Sequence, residues 1–441
     1  MIVMKFGGTS VANASQIQKV ANIVLHHLDK RPLVVVSALA GVTNELLLLA
    51  EKASQGKEIS SKTLLDRHLS VAHKLDLPPT LLQPFFHELT SLLNGIQLLH
   101  ECTPRTLDRV LSFGEQCSSS LVGHFLKQKI NIPIEIIPSY DLGLMTNSFF
   151  GQASPHPESQ QAILKKVTSL PETLIITTGF IAKDTEGNVT TLGRGGSDFS
   201  ASWIGAAIDA KEIQIWTDVS GILTADPRTV PHAQTLSELS FQEASELAYY
   251  GAKVIHPATM VPAMAKHIPV RILNTNDPAH PGTCVLPTAY QTDRTVKAIA
   301  HRDELSMVHV TSLRMLDQHG FLEKLFQVFS KHHISVDMIS TSEVSVSLTV
   351  LQKDARAEAL LELKAFCDVR LEHGFSVVSV VGEGLKEKPG IVARVFSTLH
   401  EQCIPVQMIS LGASKINLSF LVSTPNVTHT VTLLHKTFFE N

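Results

Sequence analysis

The sequence predicts an α/β fold: a layered αβα domain on a mainly parallel sheet, followed by a small β-α-β module that occurs twice. From residue 1 to about 290, short apolar runs alternate with helical stretches, as strands buried on both faces of a parallel sheet require. Beyond that point, Gly320-Phe321…Phe326…Ile334-Ser335-Val336-Asp337-Met338-Ile339-Ser340 returns as Gly390-Ile391…Phe396…Ile404-Pro405-Val406-Gln407-Met408-Ile409-Ser410, at a constant offset of 70 residues (390 − 320). The 441 residues are enough for two or three domains, rich in aliphatic side chains and without a proline- or glycine-rich tract.

In chain order, Met1–Phe6 reads as a strand that carries Lys5 and breaks into Gly7-Gly8-Thr9-Ser10, with a helix expected from Val11 to Leu28. Further strands are expected at Leu33–Ser37, Ile134–Ile137, Leu174–Gly179, Glu212–Trp216 and Val270–Leu273. Helices are expected at Val42–Gln55, Leu111–Gln128, Asp198–Ala207 and Phe241–Tyr249, with a leucine-rich helical lobe inserted over residues 60–110. The polar stretch Pro287–Arg294 separates the halves, giving domains over 1–290 and 295–441. Each repeat reads strand, helix, strand and one more strand, at Val344–Leu351 and Ile416–Val422.

Several function classes fall away on composition. A formal charge of −4 gives no electrostatic reason to expect nucleic acid or an anionic membrane as partner. No basic-then-apolar leader opens the chain and no apolar run reaches the ~18 residues of a membrane helix, so no membrane partner is expected. Cysteines 102, 117, 284, 367 and 403 are scattered, as for reduced thiols in a cytoplasmic protein. The 21 histidines contain no H-E-x-x-H, so no protein-held metal is expected. His301-Arg302-Asp303 imitates a protein-kinase catalytic loop, but Val308 stands where that loop needs asparagine, and we reject the match.

Two glycine clusters carry the chemistry. At Lys5-Phe6-Gly7-Gly8 a lysine ends a strand beside residues without Cβ, so backbone N–H groups can approach an anion and the chain can take φ > 0. The spacing is neither that of a P-loop nor that of a dinucleotide fold, and a tight turn remains the simpler reading. In Gly193-Arg194-Gly195-Gly196-Ser197-Asp198 a guanidinium sits between glycines, which a turn alone does not require and which suits bidentate capture of a carboxylate or phosphate. Ser197 and Asp198 read equally well as helix caps, Glu115 as a carboxylate at a helix start, Asp218 as a turn former and Lys253 as a surface lysine.

The motifs KFGGTS at 5–10, SALAGVTN at 37–44, SFGEQCSS at 112–119, TTLGRGGSDFSA at 190–201, WTDVSGILTADPR at 216–228 and GAKVIHPAT at 251–259 resemble those of the aspartate kinases of the amino acid kinase family. The resemblance covers nearly the whole chain. It implies an amino acid kinase domain followed by a tandem ACT regulatory domain (βαββαβ, ferredoxin-like), and phosphorylation of L-aspartate by ATP with Mg2+ on the phosphates. By position, Lys5 would neutralise the transferring phosphoryl group and Asp198 orient it, with Arg194 and Asp198 counted as catalytic. Glu115 would take the substrate ammonium, Arg194 its carboxylate, and Thr43 would help seat it. Gly7, Gly8, Ser37, Thr217, Asp218, Leu223, Arg228 and Lys253 would surround the nucleotide. Leu223 replaces a tyrosine of the family, and Thr146-Asn147-Ser148-Phe149-Phe150-Gly151 replaces its T-N-D-R-F-G. An aspartate side chain with a pKa of about 3.9 attacks already ionised, so the reaction asks for alignment and charge neutralisation and no general base.

The first repeat is similar to that of the lysine-inhibited, monofunctional members. The match implies an effector site at Met315, Phe321, Leu322, Ser335, Val336, Asp337, Thr341, Ser342 and Glu343, with Asp337 and Glu343 on the ammonium groups of L-lysine. Phe321 and Val336 also read as plain core. The second repeat has Gln407 and Ala413 in place of the two carboxylates, so one effector site per chain is expected. Paired ACT modules imply a homodimer. The competing readings are another amino acid kinase, acting on glutamate, acetylglutamate or a nucleotide, and an amino-acid sensor whose kinase half has decayed.

Overall fold

The computed structural model describes residues 1–251, 257–288, 295–312, 319–385, 387–388, 390–411 and 416–440. They form two compact units, Met1–Ile222 with Thr235–Phe241 and Val254–Tyr290, and Leu223–Gln234 with Gln242–Lys253 and Gln291–Asn441. The strands are β1 (Ile2–Phe6), β2 (Pro32–Val36), β3 (Ile134–Ile137), β4 (Met145–Thr146), β5 (Leu174–Thr178), β6 (Ile181–Asp184), β7 (Val189–Thr191), β8 (Ile213–Thr217), β9 (Glu238–Ser240), β10 (Val270–Asn274), β11 (Thr283–Leu286), β12 (Ala298–Thr311), β13 (Val336–Thr341), β14 (Ser345–Leu351), β15 (Asp368–Val381), β16 (Met408–Ser410) and β17 (Asn417–Ser423). The helices are α1 (Ala14–His26), α2 (Val42–Ser54), α3 (Lys62–Lys74), α4 (Gln83–Leu99), α5 (Pro104–Lys129), α6 (Ser139–Leu142), α7 (Ser159–Thr168), α8 (Gly196–Ala207), α9 (Phe241–Tyr249), α10 (Pro257–Ala265), α11 (Phe321–Lys331), α12 (Ala357–Lys364), α13 (Ile391–Glu401) and α14 (Thr424–Phe439).

In the first unit an eight-stranded sheet runs β3-β5-β2-β1-β8-β10-β11-β9, and every pairing is parallel except β10 with β11. Strands β1, β2 and β5 are buried at every position, which is why they read as unbroken apolar runs. Phe6 stacks on Trp216 across the β1–β8 pair with ring centroids 5.9 Å apart. The inserted lobe is α3, α4 and the start of α5, whose Leu64, Leu89 and Leu93 join the same core as Met4 and Val34.

Three local expectations change. Helix α1 begins at Ala14 rather than Val11, because Asn13 caps it by accepting the Gln16 N–H at 3.1 Å, while Thr9–Val11 form a 3-10 turn. Helix α5 begins at Pro104, capped by Thr103, so Glu115 lies mid-helix and the reading of a carboxylate at a helix start falls. Gly195, at φ 73°, is the N-cap of α8, which places Ser197 and Asp198 inside the first turn instead of at the cap.

In the second unit a six-stranded antiparallel sheet runs β13-β14-β12-β15-β17-β16. The 14-residue strands β12 and β15 are shared between the repeats. Residues 305–311 of β12 pair with β14, residues 375–381 of β15 pair with β17, and the two long strands pair with each other. The 70-residue offset holds for β12 and β15 (368 − 298) and for α11 and α13 (391 − 321). It becomes 72 at β14 and β17 (417 − 345), after two added residues. Each copy also closes with a helix that the repeat pattern did not predict, α12 or α14. Each keeps its own core, one around Val308, Leu325 and Leu348, the other around Val378, Leu399 and Phe420.

Candidate active site

In the first unit, a cavity of about 490 Å3 opens at the C-terminal ends of β1 and β2. Strand β1 delivers Lys5, the turn after β2 delivers Ser37 and Gly41, the first turn of α2 delivers Thr43, α5 delivers Asp108 and Glu115, the loop into α8 delivers Gly193 and Arg194, and the first turn of α8 delivers Asp198. Sequence-distant residues expected at one site therefore share one cavity. Lys5 Nζ lies 2.5 Å from Asp198 Oδ1, with the two side chains only 10% and 15% exposed. Gly7 donates its N–H to Trp216 O at 3.0 Å.

Neither Gly7 nor Gly8 uses a positive φ, contrary to one reason for expecting them. Space is the reason at Gly8, where a Cβ would lie 3.0 Å from Ala38 O and 3.3 Å from Ala40 Cα. Positive φ is used in the other loop, at Gly193 and Gly195 on either side of Arg194, whose side chain is exposed.

Glu115 is 3% exposed and accepts the Ala38 N–H at 3.2 Å through Oε1. Its Oε2 is buried without a hydrogen-bond partner among the described residues. Burial pushes its carboxyl up to about 8, opposed by the Ala38 N–H and by the Lys5 charge. A desolvated carboxylate with an open oxygen is a ready acceptor for an ammonium. Sequence reasoning missed Asp108, which lines the same cavity from two turns upstream on α5. It also missed Phe180, a non-glycine residue at φ 64° on the cavity wall.

Comparison with known proteins gives the family. Residues 1–274 match the amino acid kinase family, and residues 308–364 and 378–438 match the ACT domain. Aspartokinase 1, chloroplastic, of Arabidopsis thaliana is 37% identical, over 100% of this chain and 80% of its own length. Lysine-sensitive aspartokinase 3 of Escherichia coli (strain K12) is 36% identical, over 100% and 99% of the two chains. The chain belongs to the aspartokinases of the amino acid kinase family. The fold agrees: E. coli aspartokinase III in complex with aspartate and ADP superposes with a TM-score of 0.82 at 34% identity, covering 100% of both chains. The same enzyme with lysine and aspartate gives 0.81 at 36% identity, covering 100% of this chain and 99% of that one.

In this aspartokinase two of the residues expected around the nucleotide, Gly8 and Ser37, line the cavity, while Gly7, Thr217, Asp218, Leu223 and Arg228 do not. Thr217 and Asp218 follow β8, with Thr217 Oγ1 donating to Asp218 Oδ1 at 3.1 Å, and neither lines it. Leu223 and Arg228 belong to the second unit, where Asp226 holds Arg228 in a bidentate pair at 2.5 Å. Lys253 and His256 lie outside the described residues.

Of the effector set, Met315 lies outside the described residues, as does Ala413 of the second repeat. Val336 and Phe321 are half-buried and pack on the core of the first ACT module. Leu322, Ser335, Thr341, Ser342 and Glu343 are exposed, and Ser342 caps the β13–β14 turn by accepting the Ser345 N–H at 3.2 Å. Asp337 is already engaged: its side chain is 2% exposed, Oδ1 pairs with Arg302 at 2.8 Å, and the Tyr249 hydroxyl donates to the same oxygen at 2.5 Å. Oδ2 is buried without a partner among the described residues. Arg302 also lies over the Tyr249 ring, 5.3 Å from its centroid.

Proposed function

We propose that this aspartokinase transfers the γ-phosphoryl group of ATP to the side-chain carboxylate of L-aspartate, giving 4-phospho-L-aspartate and ADP, and that L-lysine inhibits it. The observation that carries the proposal is the shared cavity, lined by Lys5, Thr43, Arg194 and Asp198 together with Glu115, one of whose buried oxygens has no hydrogen-bond partner among the described residues. Glu115 takes the substrate ammonium, Arg194 its α-carboxylate, and Thr43 helps to seat it. The side-chain oxygen forms the new P–O bond as the bond from the γ-phosphorus to the bridging oxygen breaks, and ADP leaves with that electron pair. Lys5, oriented by Asp198, neutralises charge on the transferring group. Asp198 is already paired with Lys5, which suits a Mg2+ held mainly by the phosphates of ATP; when bound there it would supply further neutralisation.

The catalytic domain in this reading spans 1–290, with Thr217, Asp218, Leu223, Arg228 and Lys253 on the nucleotide, and the regulatory ACT pair spans 295–441. The protein would act as a cytoplasmic homodimer at the head of the diaminopimelate route to lysine. All five cysteines are free, and no described helix is long and apolar enough to cross a membrane. A hydroxylamine-trapping assay with ATP, Mg2+ and aspartate tests the proposal. Aspartyl hydroxamate should form, and lysine should suppress it where threonine and methionine do not. No hydroxamate would refute the reaction, and indifference to lysine would refute the regulation.

A further inference from the structure

We propose that Asp108 is a positioning residue that pins two cavity loops to α5 and so aims Arg194 at the substrate. The inference rests on the reading above of this cavity as the aspartate site. Asp108 is 1% exposed, and three donors converge on it. Its Oδ2 accepts the Gly151 N–H at 2.9 Å and the Thr191 N–H at 2.8 Å, while Oδ1 accepts the Thr191 hydroxyl at 2.8 Å. The two donating segments are also tied to each other, by the Ala153 N–H on Thr191 O at 2.9 Å. They approach so closely that a Cβ on Gly193 would lie 3.1 Å from Gly151 O.

A carboxylate is an expensive way to fill a buried helix face. Burial pushes the Asp108 carboxyl up, against the pull of its three donors. An apolar side chain of equal volume would serve stability as well, if packing were the whole purpose. What the carboxylate adds is a fixed position for the end of β7. Arg194 follows three residues after Thr191, is exposed, and among the described residues has no side-chain partner to orient it. Its direction is therefore set by the loop, and the loop by Thr191. Asp108 and Glu115 lie seven residues apart on one face of α5 (115 − 108), so one rigid helix fixes the carboxylate for the substrate ammonium and the anchor for the loop that grips its carboxylate.

The test is Asp108→Asn, which keeps the volume but cannot accept from donors on both oxygens. The KM for aspartate should rise about tenfold or more while the KM for ATP stays within about twofold, because the loop it releases grips only the amino acid. Amide hydrogen exchange should quicken together in 147–153 and 190–196. Thr191→Val, which removes only the hydroxyl donor, should raise the aspartate KM by about threefold, and Thr191→Ser should behave as wild type. This pair decides the matter if Asp108→Asn does not fold. Unchanged exchange, or a parallel rise in both KM values, overturns the assignment. If the wild-type protein makes no hydroxamate the proposed reaction falls, and the exchange data alone still decide whether Asp108 pins the two loops.

Discussion

Glu115 shows how one residue's surroundings set a measurable pH dependence. With its carboxyl pushed up to about 8 from the ordinary 4.5, it is protonated in the free protein at neutral pH. An ammonium binds the ionised form, so aspartate binding releases a proton below about pH 8. The apparent KM for aspartate should fall as pH rises from 6 to 8 and then level off, and Glu115→Gln should raise KM and flatten that slope. A wild-type profile that is flat between pH 6 and 8 would contradict this. The stability sign is the reverse. Between 4.5 and about 8 the folded state holds the Glu115 proton more tightly than the unfolded chain, so this group's contribution is complete below 4.5 and declines as pH rises through about 8. Lys5→Ala should lower kcat by a factor of about 10²–10³, the size of a lost charge contact in a phosphoryl-transfer transition state. Lys5 and Arg194 were legible because glycines beside a cation form a pattern within a few residues. Asp108 was not, because its donors come from 43 and 83 residues away along the chain.

Single elements show which constraints are local and which are not. The buried parallel strands were legible from composition, since both faces of each must be apolar, and α9 was read at its observed limits. The starts of α1 and α5 were misjudged because Asn13 and Thr103 override apolar periodicity with one side-chain bond each. Gly8 is constrained by space, so Gly8→Ala should cost about 1–3 kcal/mol of stability, read as a lower denaturation midpoint, and should displace the turn from Ala38 and Ala40. In the second unit, β12 places Arg302 on Asp337, where it acts as an internal cation on the carboxylate we assign to lysine. Arg302→Ala should therefore strengthen lysine binding several-fold, while lowering the stability of the lysine-free protein by about 1–3 kcal/mol. Lysine titrations followed by thermal melts would check both effects, and weaker lysine binding would count against Asp337 as its acceptor.

At the scale of the whole molecule, the repeat at offset 70 made the architecture of the second unit legible, and the residues exchanged between its copies made its asymmetry legible as well. Two copies suggest two equivalent effector sites, whereas the residues differ where a cation would bind. The first copy has the buried Asp337 with an open Oδ2 and the exposed Glu343 in the turn after β13, and the second has Gln407 at the position of Asp337. A neutral amide does not replace the charge-assisted bond that a carboxylate offers an ammonium. Calorimetric titration should thus find one lysine per chain. Glu343→Ala should raise the half-inhibitory lysine concentration about tenfold, the effect of losing roughly 1.4 kcal/mol of binding, while Gln407→Ala should leave it unchanged. Inhibition requires that lysine favour the less active arrangement by a coupling free energy of about 1–3 kcal/mol, and by reciprocity aspartate and ATP must weaken lysine binding by the same factor. Lysine titrated with and without saturating substrates should show that shift. Two equivalent sites per chain, or an affinity indifferent to substrate, would mean that the duplicated fold carries regulation in some way other than through the acidic pair of its first copy.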